Sequence, residues 1–136
     1  MLGTIIADMF PRVTLLTEPK PILIVEDEPD AREALREFLQ THGFNVICAE
    51  NGQDALDKIG LRQITPSLIL LDLVMPVMDG NNFVKQAHQD ERIKDVPIIV
   101  TTAHPPQQSP DMPATLVKPI RPERLLELLG RLLPTN

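Results

Sequence analysis

Five polar residues each stand at the end of a short apolar segment, and together they have the makings of a reactive pocket. Asp72 comes directly after Ser67-Leu68-Ile69-Leu70-Leu71, and the pair Glu26-Asp27 directly after Pro21-Ile22-Leu23-Ile24-Val25. Thr102 follows Ile98-Ile99-Val100-Thr101, and Lys118 follows Thr115-Leu116-Val117. Unbroken apolar runs of this length read as strands buried on both faces, and open α/β sheets bind ligands at the carboxyl ends of such strands. In one sheet, Glu26, Asp27, Asp72, Thr102 and Lys118 converge. Clustered carboxylates repel one another, and a hard divalent cation such as Mg2+ relieves that repulsion while keeping several waters. An Asp beside Mg2+, an ammonium and a hydroxyl is suited to accept a phosphoryl group. The carboxylate is the nucleophile, and the cations neutralise the transferring oxygens.

The segments that must position these groups alternate between strand and helix. Ile22 to Val25 reads as the first strand. Pro29 then opens a helix where its missing N–H costs little, Ala31, Leu35, Phe38 and Leu39 recur at helical spacing, and Gly43 ends it. Val46 to Ala49 is a short second strand, after which Asn51 caps a helix carrying Ala55, Leu56 and Ile59. Leu68 to Leu71 is the third strand. Asp79-Gly80 makes a turn into a third helix that includes Asn82 to Gln89. Pro97 to Thr101 is a fourth strand, Thr115 to Val117 a fifth, and a Leu-rich helix from about Arg121 to Leu133 closes the chain. This alternation predicts an α/β doubly wound sheet with helices on both faces.

Two stretches depart from the pattern. Residues 1–19 precede the first strand; Leu2, Ile5, Met9, Val13 and Leu16 hint at helical spacing that Pro11 interrupts. Two readings stand open for this extension, a loosely packed tail or a contact for a partner or second copy. The stretch Pro105–Pro113 holds four prolines, leaving no room for a regular helix of normal length.

Composition bounds the function classes. A chain of 136 residues makes one domain, and a formal charge of −6 argues against a broad grip on nucleic acid or anionic lipid. The lone Cys48 cannot form an internal disulfide, which points to a reducing, cytoplasmic setting; within Val46-Ile47-Cys48-Ala49 it reads as a small core residue. No apolar run approaches the roughly 20 residues that span a bilayer, and the N-terminus lacks the positive region of a secretory signal. His42, His88 and His104 have no metal-ligand spacing and read as surface residues.

In order and spacing, four motifs resemble a response-regulator receiver domain of two-component signalling. They are Ile22-Leu23-Ile24-Val25-Glu26-Asp27-Glu28-Pro29-Asp30, Leu68-Ile69-Leu70-Leu71-Asp72-Leu73-Val74-Met75-Pro76-Val77-Met78-Asp79-Gly80, Thr101-Thr102-Ala103 and Lys118-Pro119. The likeness runs from about Lys20 to Leu133, so residues 20–136 are expected to form the receiver. It implies a five-stranded parallel sheet in the flavodoxin-like order 2-1-3-4-5, here with the fourth helix shortened or missing. It also implies that Asp72 takes phosphate from a phosphohistidine on a sensor histidine kinase or phosphotransfer protein. Asp27 and Asp72 are then the implied Mg2+ ligands, with Glu26 acting through water and the Val74 carbonyl completing the set. Lys118 contacts the phosphoryl group, Thr102 swings toward it, and Lys118-Pro119 is a cis peptide, which only proline makes cheap. Such a protein catalyses only its own phosphorylation and slow hydrolysis, and is not an enzyme of metabolism.

Some positions differ from the family pattern. Thr115 stands where the family usually has an aromatic whose inward swing accompanies phosphorylation, and the proline-rich stretch replaces the usual fourth helix. Output is therefore expected to leave by another surface, such as the last helix, where Leu125, Leu128, Leu129 and Leu132 form a core-facing stripe. Leu126 and Leu133 either flank that core or make a partner seam, a homodimer included. Val74 and His104 occupy the positions two residues after the acceptor and after the threonine. Val74 cannot hold an attacking water by a side-chain hydrogen bond, which predicts a long-lived phosphoaspartate. Only Pro134-Thr135-Asn136 follow Leu133, so the signal is expected to pass to a separate downstream protein, unless the chain is a fragment of a longer one. Two alternatives remain: a phosphorylation-independent adaptor on the receiver fold, and a phosphatase of the haloacid-dehalogenase class. The second wants another Asp two residues after the nucleophile, where Val74 stands.

Overall fold

The computed structural model describes residues 20–74, 78–104 and 114–134. The strands β1 (Ile22–Val25), β2 (Val46–Ala49), β3 (Leu68–Asp72), β4 (Ile98–Thr102) and β5 (Ala114–Val117) form one parallel sheet in the order β2-β1-β3-β4-β5. Among the described residues the helices are α1 (Pro29–Thr41), α2 (Gly52–Arg62), α3 (Gly80–Gln89) and α4 (Pro122–Leu132). The expected doubly wound sheet and its strand order are both observed.

Side chains alternate between the two faces of a strand, and the apolar runs therefore feed two cores. Ile22, Ile24, Leu68, Leu70, Ile99 and Leu116 pack with Leu39 of α1 and with Leu125, Leu128 and Leu129 of α4. Leu23, Val25, Ile69, Leu71 and Val100 pack with Ala55 and Ile59 of α2 and with Phe83 and Ala87 of α3. Leu126 and Leu133 are partly buried against the α1–α4 core, as the core-flanking reading has it. Cys48 is half-buried beside the same cluster.

Helix starts follow local hydrogen-bond chemistry. Asn51 accepts from the Asp54 N–H at 2.8 Å and Asp79 from the Asn82 N–H at 2.9 Å. Gly43, at φ +89°, ends α1 in the left-handed region that glycine tolerates. Two strands, β3 and β4, run one residue past their expected carboxyl ends, and β5 begins one residue before its expected start. Asp72 pairs with Thr101, and Thr102 with Val117, so both functional side chains are the last rungs of their ladders. The expected shortening or absence of the fourth helix falls on residues 105–113 and the expected extension on residues 1–19, both outside the described residues. No described helix is long and apolar enough to cross a membrane.

Candidate functional site

The parallel register brings the carboxyl ends of β1, β3, β4 and β5 to one edge of the sheet. β1 and β3 lie side by side, with Val25 level with Leu71, so Glu26 and Asp72 surface next to each other. The Leu73 N–H donates to the Thr101 carbonyl at 2.9 Å, and the Lys118 N–H donates to the Thr102 carbonyl at 2.8 Å. These two bonds carry the sheet pattern past the strand ends and bring Lys118 to the same edge.

Glu26, Asp27 and Asp72 each offer a carboxylate oxygen within 4.8 Å of the others. Glu26 and Asp72 are buried, at 2% and 7% exposure, while Asp27 is open to solvent. Lys118 Nζ lies 3.4 Å from Glu26 Oε1 and 3.4 Å from Asp72 Oδ2, bridging both acids. Backbone amides supply further donors: the Glu28 N–H donates to Glu26 Oε2 at 3.2 Å, and the Val74 N–H to Asp72 Oδ1 at 3.2 Å.

Three carboxylates against one ammonium leave an excess of negative charge. Burial pushes Glu26 up to about 7, and hydrogen bonding with Asp72 adds to the rise. The Glu28 amide and Lys118 pull the other way. Burial of Lys118 favours its neutral form, but the charges of Glu26 and Asp72 outweigh this and raise its pKa. An all-oxygen donor set with two buried acids and one exposed acid fits a hard dication that retains water, as Mg2+ does.

Thr102, 3% exposed, reaches the pocket edge, but its hydroxyl donates to the His104 carbonyl at 3.0 Å and accepts from the His104 N–H at 3.2 Å. The hydroxyl is thus engaged within its own loop. His42, His88 and His104 are exposed, as expected. Val74 is 73% exposed at the mouth of the pocket. Asp79 and Gly80 shape the loop after β3: the Gly80 N–H donates to the Leu73 carbonyl at 2.7 Å, and a Cβ on Gly80 would lie 2.6 Å from Leu73 Cα. The Lys118-Pro119 peptide is cis.

Two residues at the site were not singled out by the sequence reading. Glu28 caps α1, its Oε1 accepting from the Asp30 N–H at 2.9 Å. Arg32 donates from Nη1 to the Glu26 carbonyl at 2.8 Å. A signal for Arg32 was available: a cation in the first turn of a helix opposes the helix dipole and needs a local reason.

Comparison with known proteins agrees with this geometry. The model of the response regulator receiver domain family matches residues 22–130. The response regulator Rre1 of Synechocystis is 36% identical over 89 residues, which is 65% of this chain and 38% of that protein. The chain thus corresponds to well under half of that regulator. Among solved structures, the chemotaxis protein CheY4 of Vibrio cholerae superposes with a TM-score of 0.75 at 32% identity, covering 85% of this chain and 100% of that one. The response regulator TrrA of Thermotoga maritima, solved in complex with Mg2+ and BeF, gives a TM-score of 0.73 at 34% identity, with coverage of 85% and 100%.

Proposed function

We propose how this chain works from one premise: it belongs to the response regulator receiver domain family. It is a receiver domain of two-component signalling, a signalling domain rather than a metabolic enzyme. In our reading residues 20–136 form the receiver, residues 1–19 are an extension to it, and the protein acts in the cytoplasm.

Asp72 is the phosphoacceptor in this proposal. One of its carboxylate oxygens attacks the phosphorus of a phosphohistidine on a sensor histidine kinase or phosphotransfer protein. The P–N bond breaks, its electron pair returns to the imidazole, and an acyl phosphate remains on Asp72. Asp27, Asp72 and the Val74 carbonyl, with Glu26 through water, would hold Mg2+, which would supply neutralisation of charge on the transferring oxygens. The Lys118 ammonium turns from its two acids to a phosphoryl oxygen. Thr102 exchanges its bond to the His104 carbonyl for one to the phosphoryl group. Pro119, Asp79 and Gly80 hold the surrounding loops in shape. Hydrolysis is slow, because Val74 offers no side-chain hydrogen bond to an attacking water.

The observation that carries this reading is the cluster itself: three carboxylate oxygens within 4.8 Å, with one ammonium 3.4 Å from two of the groups. Intact mass after incubation with acetyl phosphate and Mg2+ tests it. The expected gain is one phosphoryl group, about 80 Da, lost in Asp72→Asn and without metal. Full labelling of Asp72→Asn would overturn the assignment of the acceptor.

The phosphorylated receiver then binds a downstream protein or a second copy of itself. A phosphorylation-independent adaptor is the second reading, favoured by Thr115 at the position where the family usually has an aromatic. It expects partner affinity to be the same with and without beryllofluoride, whereas the switch reading expects a change.

A further inference from the structure

We propose that Arg32 is a positioning residue: it holds the acidic loop after β1 in its metal-binding shape, so that the pocket's affinity for Mg2+ depends on it. The inference rests on the receiver reading above and adds a residue to it.

Arg32 sits in the first turn of α1, where a positive charge opposes the helix dipole. That unfavourable placement is offset by the bond from Nη1 to the Glu26 carbonyl at 2.8 Å, a charge-assisted hydrogen bond. With it, Glu26 is held at four points. Its N–H donates to the Ala49 carbonyl at 3.1 Å, its Oε2 accepts from the Glu28 N–H at 3.2 Å, and its Oε1 faces Lys118 Nζ at 3.4 Å. The fourth point, the carbonyl, fixes the plane of the peptide that leads into Asp27. Among the described residues no hydrogen bond or ion pair holds the Asp27 carboxylate, so its aim falls to the backbone beneath it. Arg32 is the side chain that controls that backbone.

Two effects of Arg32 on a dication oppose each other. Its charge repels the metal, and its hydrogen bond orders the loop that receives the metal. Arg32 is half-buried, so its repulsion of the metal is only partly screened, but that repulsion acts through space, whereas the bond acts directly on the peptide joining two pocket acids. The ordering effect therefore dominates, and this determines the sign of the result.

The test is calorimetric titration of metal-free wild type, Arg32→Met and Arg32→Lys with Mg2+, alongside thermal unfolding in chelator to confirm that each is folded. Arg32→Met keeps an unbranched apolar stem and loses the donor; its Mg2+ dissociation constant rises about tenfold, the size typical of losing a group that supports a metal ligand. Arg32→Lys, which keeps one charged donor, falls between the two and carries the comparison alone if Arg32→Met does not fold. In acetyl phosphate labelling the half-saturating Mg2+ concentration rises in parallel, while the rate at saturating Mg2+ stays at the wild-type value. Unchanged or tighter Mg2+ binding in Arg32→Met overturns the proposal, as does a reduced rate at saturating metal, which makes Arg32 a contact of the phosphoryl group. Wild type that binds no Mg2+ overturns the metal-dependent phosphoacceptor reading and the role of Arg32 with it.

Discussion

On the β1–β3 side of the pocket, inner strands bury Glu26 and Asp72, and amides and a lysine hold their oxygens. On the β4–β5 side, the Thr102 hydroxyl is bonded inside its own loop, and β5 is the outermost strand, with Val117 half-exposed. The first side has its groups already in place for charge and metal; on the second, the proposed contact with the phosphoryl group requires the hydroxyl to exchange one partner for another. In the proposed mechanism, acceptance of phosphate and transmission of the signal thus draw on separate parts of the sheet. Lys118 joins them, attached to β5 by backbone and to the acids by its side chain.

Removing that joint gives the largest expected effect. Lys118→Ala lowers the rate of phosphorylation by acetyl phosphate by a factor on the order of 10²–10³, the usual loss for one electrostatic donor to a reacting group. Mg2+ affinity should hold or increase, because one competing cation is gone. A loss of only a few-fold would show that the two sides are not coupled through this lysine.

The acid side also predicts a pH dependence. Glu26 has a pKa raised to about 7 in the folded chain, against an ordinary value of 4.5. Between these values the native state binds more proton than the unfolded one, so the stability this group contributes is fully present below about 4.5 and falls as pH rises toward 7. In metal-free protein the fall from this group is on the order of 3 kcal/mol, read from urea midpoints across the window. Added Mg2+ should flatten the slope, and calorimetric Mg2+ affinity should strengthen as pH rises to about 7 and then level off. A slope of the opposite sign would mean that Glu26 is ionised throughout.

Gly80→Ala probes the loop that follows the acceptor. The added Cβ meets backbone, 2.6 Å from Leu73 Cα, rather than a side chain that can turn away. A cost of about 1–3 kcal/mol is expected in denaturant unfolding, with phosphorylation slowed because Leu73 adjoins Asp72. The smallest effect belongs to the exposed mouth. Val74→Asn should leave the labelling rate near wild type and shorten the phosphoaspartate lifetime several-fold. A lifetime of seconds that does not change would remove Val74 from the account.

The fold was legible because its signals are local. Apolar runs bounded by Pro29, Gly43, Asn51 and Asp79 mark strands and helix ends whatever the rest of the chain does. Asp72 was legible for the same reason, as an acid at the end of such a run. Glu28 as a cap was not, since glutamate is a weak choice at that position and only the bend after β1 brings Oε1 to the Asp30 amide. Arg32 was missed because its partner is a backbone carbonyl six residues back, a spacing that neither helix nor strand periodicity selects. The hydrogen bonds of Thr102 depend on how residues 102–104 turn, which composition does not reveal.

By itself, then, the amino-acid sequence determined a doubly wound sheet and the identity of the acids, threonine and lysine at its carboxyl edge. These follow from hydrophobic periodicity and from chain-local turn and cap chemistry. Only the tertiary structure decided that Lys118 reaches Glu26 across 92 residues of sequence, that burial carries Glu26 to about 7, and that Arg32 closes on the loop after β1. Distance and desolvation fix such interactions, and both come into being only when the strands have assembled.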